Sequence, residues 1–155
     1  MEDRTRHDIF ERGDRTSLVC VDEPELYHTT IGQLTALGCK IHTGLFVEDI
    51  ALKLKTNAYD LVVVSEHFNE ADLESNRVLA ELVSVPASQR RNFFVVLLGP
   101  GMVTGDDVQA FRESVDLVIG LPDLANLGFV MQRAIARRDE FYRAFKECET
   151  IAGMG

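Results

Sequence analysis

The residue types able to do chemistry in this 155-residue chain stand where short apolar runs end. Asp22 and Glu23 follow one such run. Ser65, Glu66 and His67 follow another, with Ser65 placed 43 positions after Asp22. Brought together, Asp22, Glu23 and Glu66 could hold a hard divalent cation through carboxylate oxygens. Acids at the end of a sheet are more often simply solvated, and that is the plainer reading here. Ser65, His67 and Asp22 have the types of a nucleophile, its base and an orienting acid. No GxSxG elbow surrounds the serine, however, and adjacent loop positions rarely point together. The string Gly99-Pro100-Gly101-Met102-Val103-Thr104-Gly105 has the glycine content of a phosphate-cradling loop. A dinucleotide unit would also need an acid at the end of the next strand, where Ile119, Gly120 and Leu121 stand. A flexible connecting loop, available as a contact surface, is the preferred reading.

Three cysteines and four histidines complete the inventory. No CxxC or Cys/His cluster exists, so Cys20 and Cys39 read as small core residues and Cys148 as exposed near a helix end. No histidine has metal spacing, and His67 reads as an ordinary loop residue.

These residues need elements to position them, and two hydrophobic periods alternate along the chain. Apolar runs rich in β-branched side chains predict strands at Ser17–Val21, Cys39–Thr43, Asp60–Ser65, Phe93–Leu98 and Val115–Ile119. Helical spacing predicts helices over Pro24–Leu37, Val47–Thr56, Asp72–Val85, Gly105–Ser114 and Asp123–Glu149. Runs such as LVVV and FFVVLL lack polar alternation, so both faces of the sheet must be covered. Pro24 suits a first helical turn, Gly38 a left-handed cap, and Asp123 an N-cap for the last helix. Five strands alternating with five helices predict an α/β, flavodoxin-like (βα)5 doubly wound parallel sheet of order 2-1-3-4-5. Ligands of such sheets bind beyond the carboxyl ends of the strands, between the first and third.

Composition narrows the function classes. Sixteen basic against twenty-five acidic residues give a net charge of -9, which argues against nucleic acid as a partner. The basic residues of the last helix are interleaved with Asp139, Glu140 and Glu147, as on a solvated face. No apolar run is long enough to span a membrane, and the charged N-terminus does not read as a leader peptide. The expectation is a cytoplasmic protein.

At the strand ends the sequence resembles a known family. LVCVDEPEL is similar to the opening of response-regulator receiver (CheY-like) domains. AYDLVVVSEHFNEADLE is similar to their central strand and following loop, and VDLVIGLPDLANL to their fifth strand, lysine-proline turn and last helix. The resemblance runs from about Ser17 to Arg138. It implies a charged N-terminal segment over 1–16, a receiver-like domain over 17–138, and a helix extension with short tail over 139–155.

In that family an aspartate accepts a phosphoryl group beside Mg2+, and a lysine and a hydroxyl residue hold its oxygens. Transferred position by position, the first acid is Val21 and the second survives as Asp22. The phosphoacceptor position falls on Ser65. The hydroxyl position falls on Leu98 or Gly99, the aromatic switch on Val118 and the lysine on Leu121, with Pro122 kept as a candidate cis-proline. Asp72 matches the family pattern without a chemical role. A one-residue slip would put Glu66 at the acceptor position, as a permanent mimic of the charged state. The resemblance thus implies a degenerate, phosphorylation-independent pseudo-receiver that is not an enzyme and needs no cofactor. The alternatives are an atypical receiver accepting phosphate or Mg2+ through Asp22 and Glu66, and a small-molecule or nucleotide binder using the Gly99–Gly105 loop.

The last helical stretch is longer than a five-stranded sheet needs. Phe141, Tyr142 and Phe145 fall beyond the expected core and predict contact with a protein partner, with a second copy, or with Ile9 and Phe10 of the N-terminal segment. The family's usual contact face, formed by the fourth helix, fifth strand and fifth helix, is the expected surface.

Overall fold

Five runs of valine, leucine and isoleucine pair side by side as parallel strands, because neither of their faces is polar enough to meet water. In the computed structural model they are β1 (Arg15–Cys20), β2 (Cys39–Thr43), β3 (Leu61–Ser65), β4 (Phe94–Gly99) and β5 (Leu117–Gly120). The structure describes the backbone of residues 15–154 and the side chains of residues 15–140. The sheet order is β2-β1-β3-β4-β5, as the alternation of elements predicts. In register, Val19 pairs with Val63, Ser65 with Leu98, and Gly99 with Gly120.

Among the described residues five helices cover the sheet, α1 (Pro24–Ala36), α2 (Val47–Thr56), α3 (Arg77–Val83), α4 (Asp107–Glu113) and α5 (Leu127–Met154), and a further single turn, Ala87–Arg90, leads into β4. Helices α1 and α5 close one face, where Leu26, Leu34, Leu127 and Met131 pack on Val19, Val63, Val96 and Ile119. Helices α2, α3 and α4 close the other, where Ile50, Val78, Leu82 and Ala110 pack on Cys20, Val62, Val64 and Leu97. Alternate residues of each strand therefore serve opposite cores, which is the period-2 geometry of a strand buried on both sides.

Several boundaries differ from expectation for local reasons. α3 starts at Arg77 and not at Asp72, because Asn76 is the residue whose side chain accepts from the Val78 and Leu79 N–H groups. Asp72 instead closes a tight turn with Ser75, whose hydroxyl and N–H both donate to its carboxylate. Asp123 does not cap the last helix. Residues Leu121–Asn126 form a 3-10 segment, and the Gly128 N–H at the start of α5 is accepted by Gln33 Oε1 of α1 at 3.1 Å. Pro122 is not a cis-proline: among the described residues no peptide bond is cis. Its place in the first turn of that 3-10 segment suits a trans proline, whose missing N–H would have no partner there. Gly38 has φ +81°, the left-handed cap expected of it. Cys20 is in the core as expected, whereas Cys39, on the edge strand β2, is only half-buried. The side chains of Phe141, Tyr142, Phe145 and Cys148, and all of Ile9 and Phe10, lie outside the described residues. Among the described residues no helix is long and apolar enough to cross a membrane.

Burial also fixes a pH response. Desolvation, aided by the Asp49 carboxylate, pushes the Cys20 thiol well above its ordinary 9.0. Desolvation, with Cys20 and Asp49 adding, pushes the Tyr59 phenol above 10.0. In alkali the folded state keeps protons that the unfolded chain has lost, so stability must fall as pH rises past these ordinary values. The melting temperature is expected to hold across neutral pH and decline above about pH 9, with Cys20→Ala making the decline shallower. A melting temperature unchanged to about pH 11 would contradict this account.

Candidate functional site

The carboxyl ends of β1, β3, β4 and β5 carry Asp22, Ser65, Glu66, the glycine loop and Leu121. β3 ends at Ser65, which is 1% exposed, and its hydroxyl donates to the Cys20 carbonyl of β1 at 3.4 Å. The Ser65 and Glu66 carbonyls, released from the ladder at the strand end, accept from Asn76 Nδ2 at 3.1 and 3.0 Å. Asn76 is buried and also caps α3, so one amide joins the strand end to the helix that follows.

Glu66 turns away from β1 toward β4. Its N–H donates to the Leu98 carbonyl at 2.7 Å, and its Oε1 accepts from the Gly101 N–H at 2.8 Å. The residue is only 8% exposed. Of the two positions aligned with the missing hydroxyl residue, Leu98 is a core side chain and Gly99 lies against Glu66. A Cβ on Gly99 would stand 2.2 Å from Glu66 Oε1 and 2.4 Å from Glu66 Cβ. One on Gly101 would stand 2.7 Å from Oε2. Neither glycine has a positive φ, so space, not backbone conformation, is what demands them.

The rest of the glycine loop is bound to β5. The Gly105 N–H donates to the Val118 carbonyl at 3.0 Å, and the Gly120 N–H donates to Thr104 Oγ1 at 2.9 Å. A Cβ on Gly120 would meet the Met102 carbonyl oxygen at 2.5 Å. The Gly101, Met102 and Gly105 N–H groups all have partners within the protein, so the loop is a fastened connection and not an open phosphate cradle. Val118 is fully buried in the core beneath α4, and Leu121 is 37% exposed at the end of β5.

The remaining candidates do not converge. Asp22 is exposed, and its Oδ2 accepts from the Asn69 N–H at 2.8 Å, tying the loop after β3 to the end of β1. That loop holds Asn69 and Glu70 at φ 58° and 60°. Val21, where a first acid would stand, is a 2% exposed core residue. His67 Nδ1 lies 2.8 Å from the Ala71 carbonyl, so it carries the proton and donates, while Nε2 is 3.5 Å from Glu66 Oε2. Ser65, His67 and Asp22 thus each bond elsewhere and form no nucleophile-base relay. Among the described residues no three acidic, His or Cys side chains gather as a metal site, Asp22, Glu23 and Glu66 included. Asp72 is held below the usual carboxylate range by its bonds from Ser75, a turn-forming role. A cavity of about 600 Å³ opens at the opposite end of the sheet, lined among others by Leu54, Tyr59, Glu81 and Phe93, far from these residues in the topology.

No family model matches the sequence, and no curated protein does. Solved structures match in three dimensions. The receiver domain of a sensor histidine kinase from Pseudomonas aeruginosa PAO1, with a magnesium ion in its active-site cleft, is 17% identical with a TM-score of 0.61. The match covers 80% of this chain and 99% of that one. This is the CheY-like receiver fold. An orphan response regulator from H. pylori matches at 18% identity and TM-score 0.58, over 80% of this chain and 98% of its own. NtrX from Brucella abortus, in complex with ADP, matches at 19% identity and TM-score 0.65. That likeness covers 90% of this chain but 30% of NtrX.

Two residues with a part in the site, Asn76 and Thr104, are not among those singled out from the sequence, and the fit of Glu66 between Gly99 and Gly101 is likewise new. Asn76 had a local signal, a capping residue just before the helical run RVLAELV. Thr104 and the fit of Glu66 between Gly99 and Gly101 had none, because their partners are distant in sequence. The fit is open to test. Gly101→Ala is expected to cost about 1–3 kcal/mol of stability in the native background and much less in Glu66→Ala, read by denaturant unfolding of the four proteins of the cycle. Gly99→Ala is expected to remain costly in both, because the Cβ of residue 66 persists. Equal costs of Gly101→Ala in both backgrounds would refute the contact.

Proposed function

We propose that this chain is a phosphorylation-independent pseudo-receiver, a module of two-component-type signalling that acts by protein contact and catalyses nothing itself. The observation that carries the reading is at the acceptor position: Ser65 is 1% exposed, with its hydroxyl bonded inward to Cys20. A serine there cannot form the mixed anhydride of an aspartyl phosphate, and a buried one cannot meet a donor.

The Mg2+ of a working receiver does not fit the donor set. Val21 contributes no oxygen, Ser65 faces the sheet, and Glu66 is turned onto Gly101. Of the positions aligned with the family's acids, only Asp22 keeps a carboxylate, with one oxygen on the Asn69 N–H. Hard cations demand several oxygen ligands, and one carboxylate is too few. Leu121 supplies no cation to a bound phosphate.

The contact surface is argued from exposed apolar side chains. On α4, Val108 and Phe111 are 67% and 87% exposed, on the side away from the buried Ala110. Val103 before α4, Leu121 after β5 and Phe129 on α5 are also exposed. Apolar side chains in such number around the fourth helix, fifth strand and fifth helix support a protein-binding face. The sequence expectation that Phe141, Tyr142 and Phe145 add to this face concerns side chains outside the described residues.

The test is phosphoryl transfer. Incubated with acetyl phosphate or beryllofluoride and Mg2+, the protein is expected to take up no phosphate and to show no amide shifts at Asp22, Ser65 or Gly99. Uptake at a defined residue would overturn the reading in favour of an atypical acceptor. For the surface, Phe111→Ser is expected to leave the melting temperature within about 0.5 kcal/mol equivalent of the native value. It should also weaken any self-association measured by sedimentation equilibrium. Self-association unaffected by Phe111→Ser would remove this face as the homodimer interface.

A further inference from the structure

The Glu66 carboxylate occupies space and hydrogen-bonding capacity that a solvated loop acid would leave free. Its main chain is clamped at both sides, the N–H on the Leu98 carbonyl and the carbonyl on Asn76. Its side chain has two polar neighbours: Oε2 lies 3.5 Å from His67 Nε2, and Oε1 accepts the shorter bond. The donor of that bond is the Gly101 N–H, in a site where Glu66 is 8% exposed, and a charge-assisted bond out of water is among the stronger bonds available to a loop. Beyond Gly101 the loop continues straight into its contacts with β5: Met102 against Gly120, Thr104 on the Gly120 N–H, Gly105 on the Val118 carbonyl. It then enters α4, whose Asp106 caps the Val108 and Gln109 N–H groups. One acidic side chain at the end of β3 is thus joined, through seven residues of loop, to the helix that carries Val108 and Phe111.

We propose that Glu66 is a built-in latch: its hydrogen bond from Gly101 holds the β4–α4 loop down on β5 and so keeps α4 in one arrangement without any added group. The significance of that arrangement for partner binding rests on the proposed function. The latch itself rests on the bond and on the two glycines moulded around the side chain. A loop held from only one end opens by fraying, and removing the anchor at its start should loosen the bonds that follow.

Amide hydrogen exchange on the protein alone reads this directly, because Gly101, Gly105 and Gly120 each donate one of the bonds concerned. In Glu66→Ala all three amides are expected to exchange about tenfold faster or more, while core amides of α1 and α5 keep their rates. Glu66→Gln retains the volume and one acceptor oxygen, so its three amides are expected within about threefold of the native rates. Unchanged protection of Gly105 and Gly120 in Glu66→Ala would overturn the latch. So would an acceleration no greater there than in α1 and α5, or a Gln variant as open as the Ala variant. No phosphodonor or partner enters the measurement. A failed latch therefore leaves the proposed function standing, and phosphate uptake would leave the latch standing.

Discussion

A parallel sheet buried on both faces can meet the outside only at its ends, and this constraint organises the molecule. Backbone groups that leave the ladder there still need partners, because a strand end roofed by loops is not freely solvated. Here the partners are internal. Asn76 takes the carbonyls of Ser65 and Glu66, Glu66 takes the N–H of Gly101, Thr104 takes that of Gly120, and Asp22 takes that of Asn69. Among the described residues no buried side-chain nitrogen or oxygen lacks a partner.

The architecture was legible because its signal is local and repeated. Unbroken apolar strands announce burial on both faces, and alternation with amphipathic helices announces a parallel sheet. The strand order followed from that, and α2 and β2 agree with expectation to the residue. What failed were choices between chemically similar neighbours. Asp72 and Asn76 are both good N-caps, and only the requirement for a donor to the Ser65 and Glu66 carbonyls selects asparagine, whose amide both donates and accepts. Asp123 likewise had the right chemistry but lost the cap of α5 to Gln33, which reaches it from another helix. Pro122 was read through a resemblance as cis, although a proline entering a helical turn is well served by the trans form.

The glycine string shows why a site is harder to read than a fold. Glycine signals that something comes close, without saying what. A phosphate, a crossing backbone and a neighbouring side chain leave the same mark in sequence. At Gly99 and Gly101 the neighbour is Glu66, 35 residues from Gly101, and at Gly120 it is the Met102 carbonyl. Gly105 alone of the loop glycines is required by its backbone, with φ +79°. A motif that could be a cradle is, in three dimensions, the imprint of an acid already in place.

That imprint bears on how such a module could carry a signal. A switch needs two arrangements close in free energy and a ligand that binds them unequally. A phosphoryl group does this by adding charge and acceptor oxygens at one point of the site. Here the Glu66 side chain is already bonded to the loop that would have to move. On the proposed reading, then, the information lies in whether a partner is bound and how much of the protein there is, not in a change of its state. The surface fits that economy of means: Phe111, 87% exposed on a helix whose buried side is a single alanine, contributes little to the fold that holds it. On the proposed reading, what such a side chain touches in a complex matters more than what it stabilises alone.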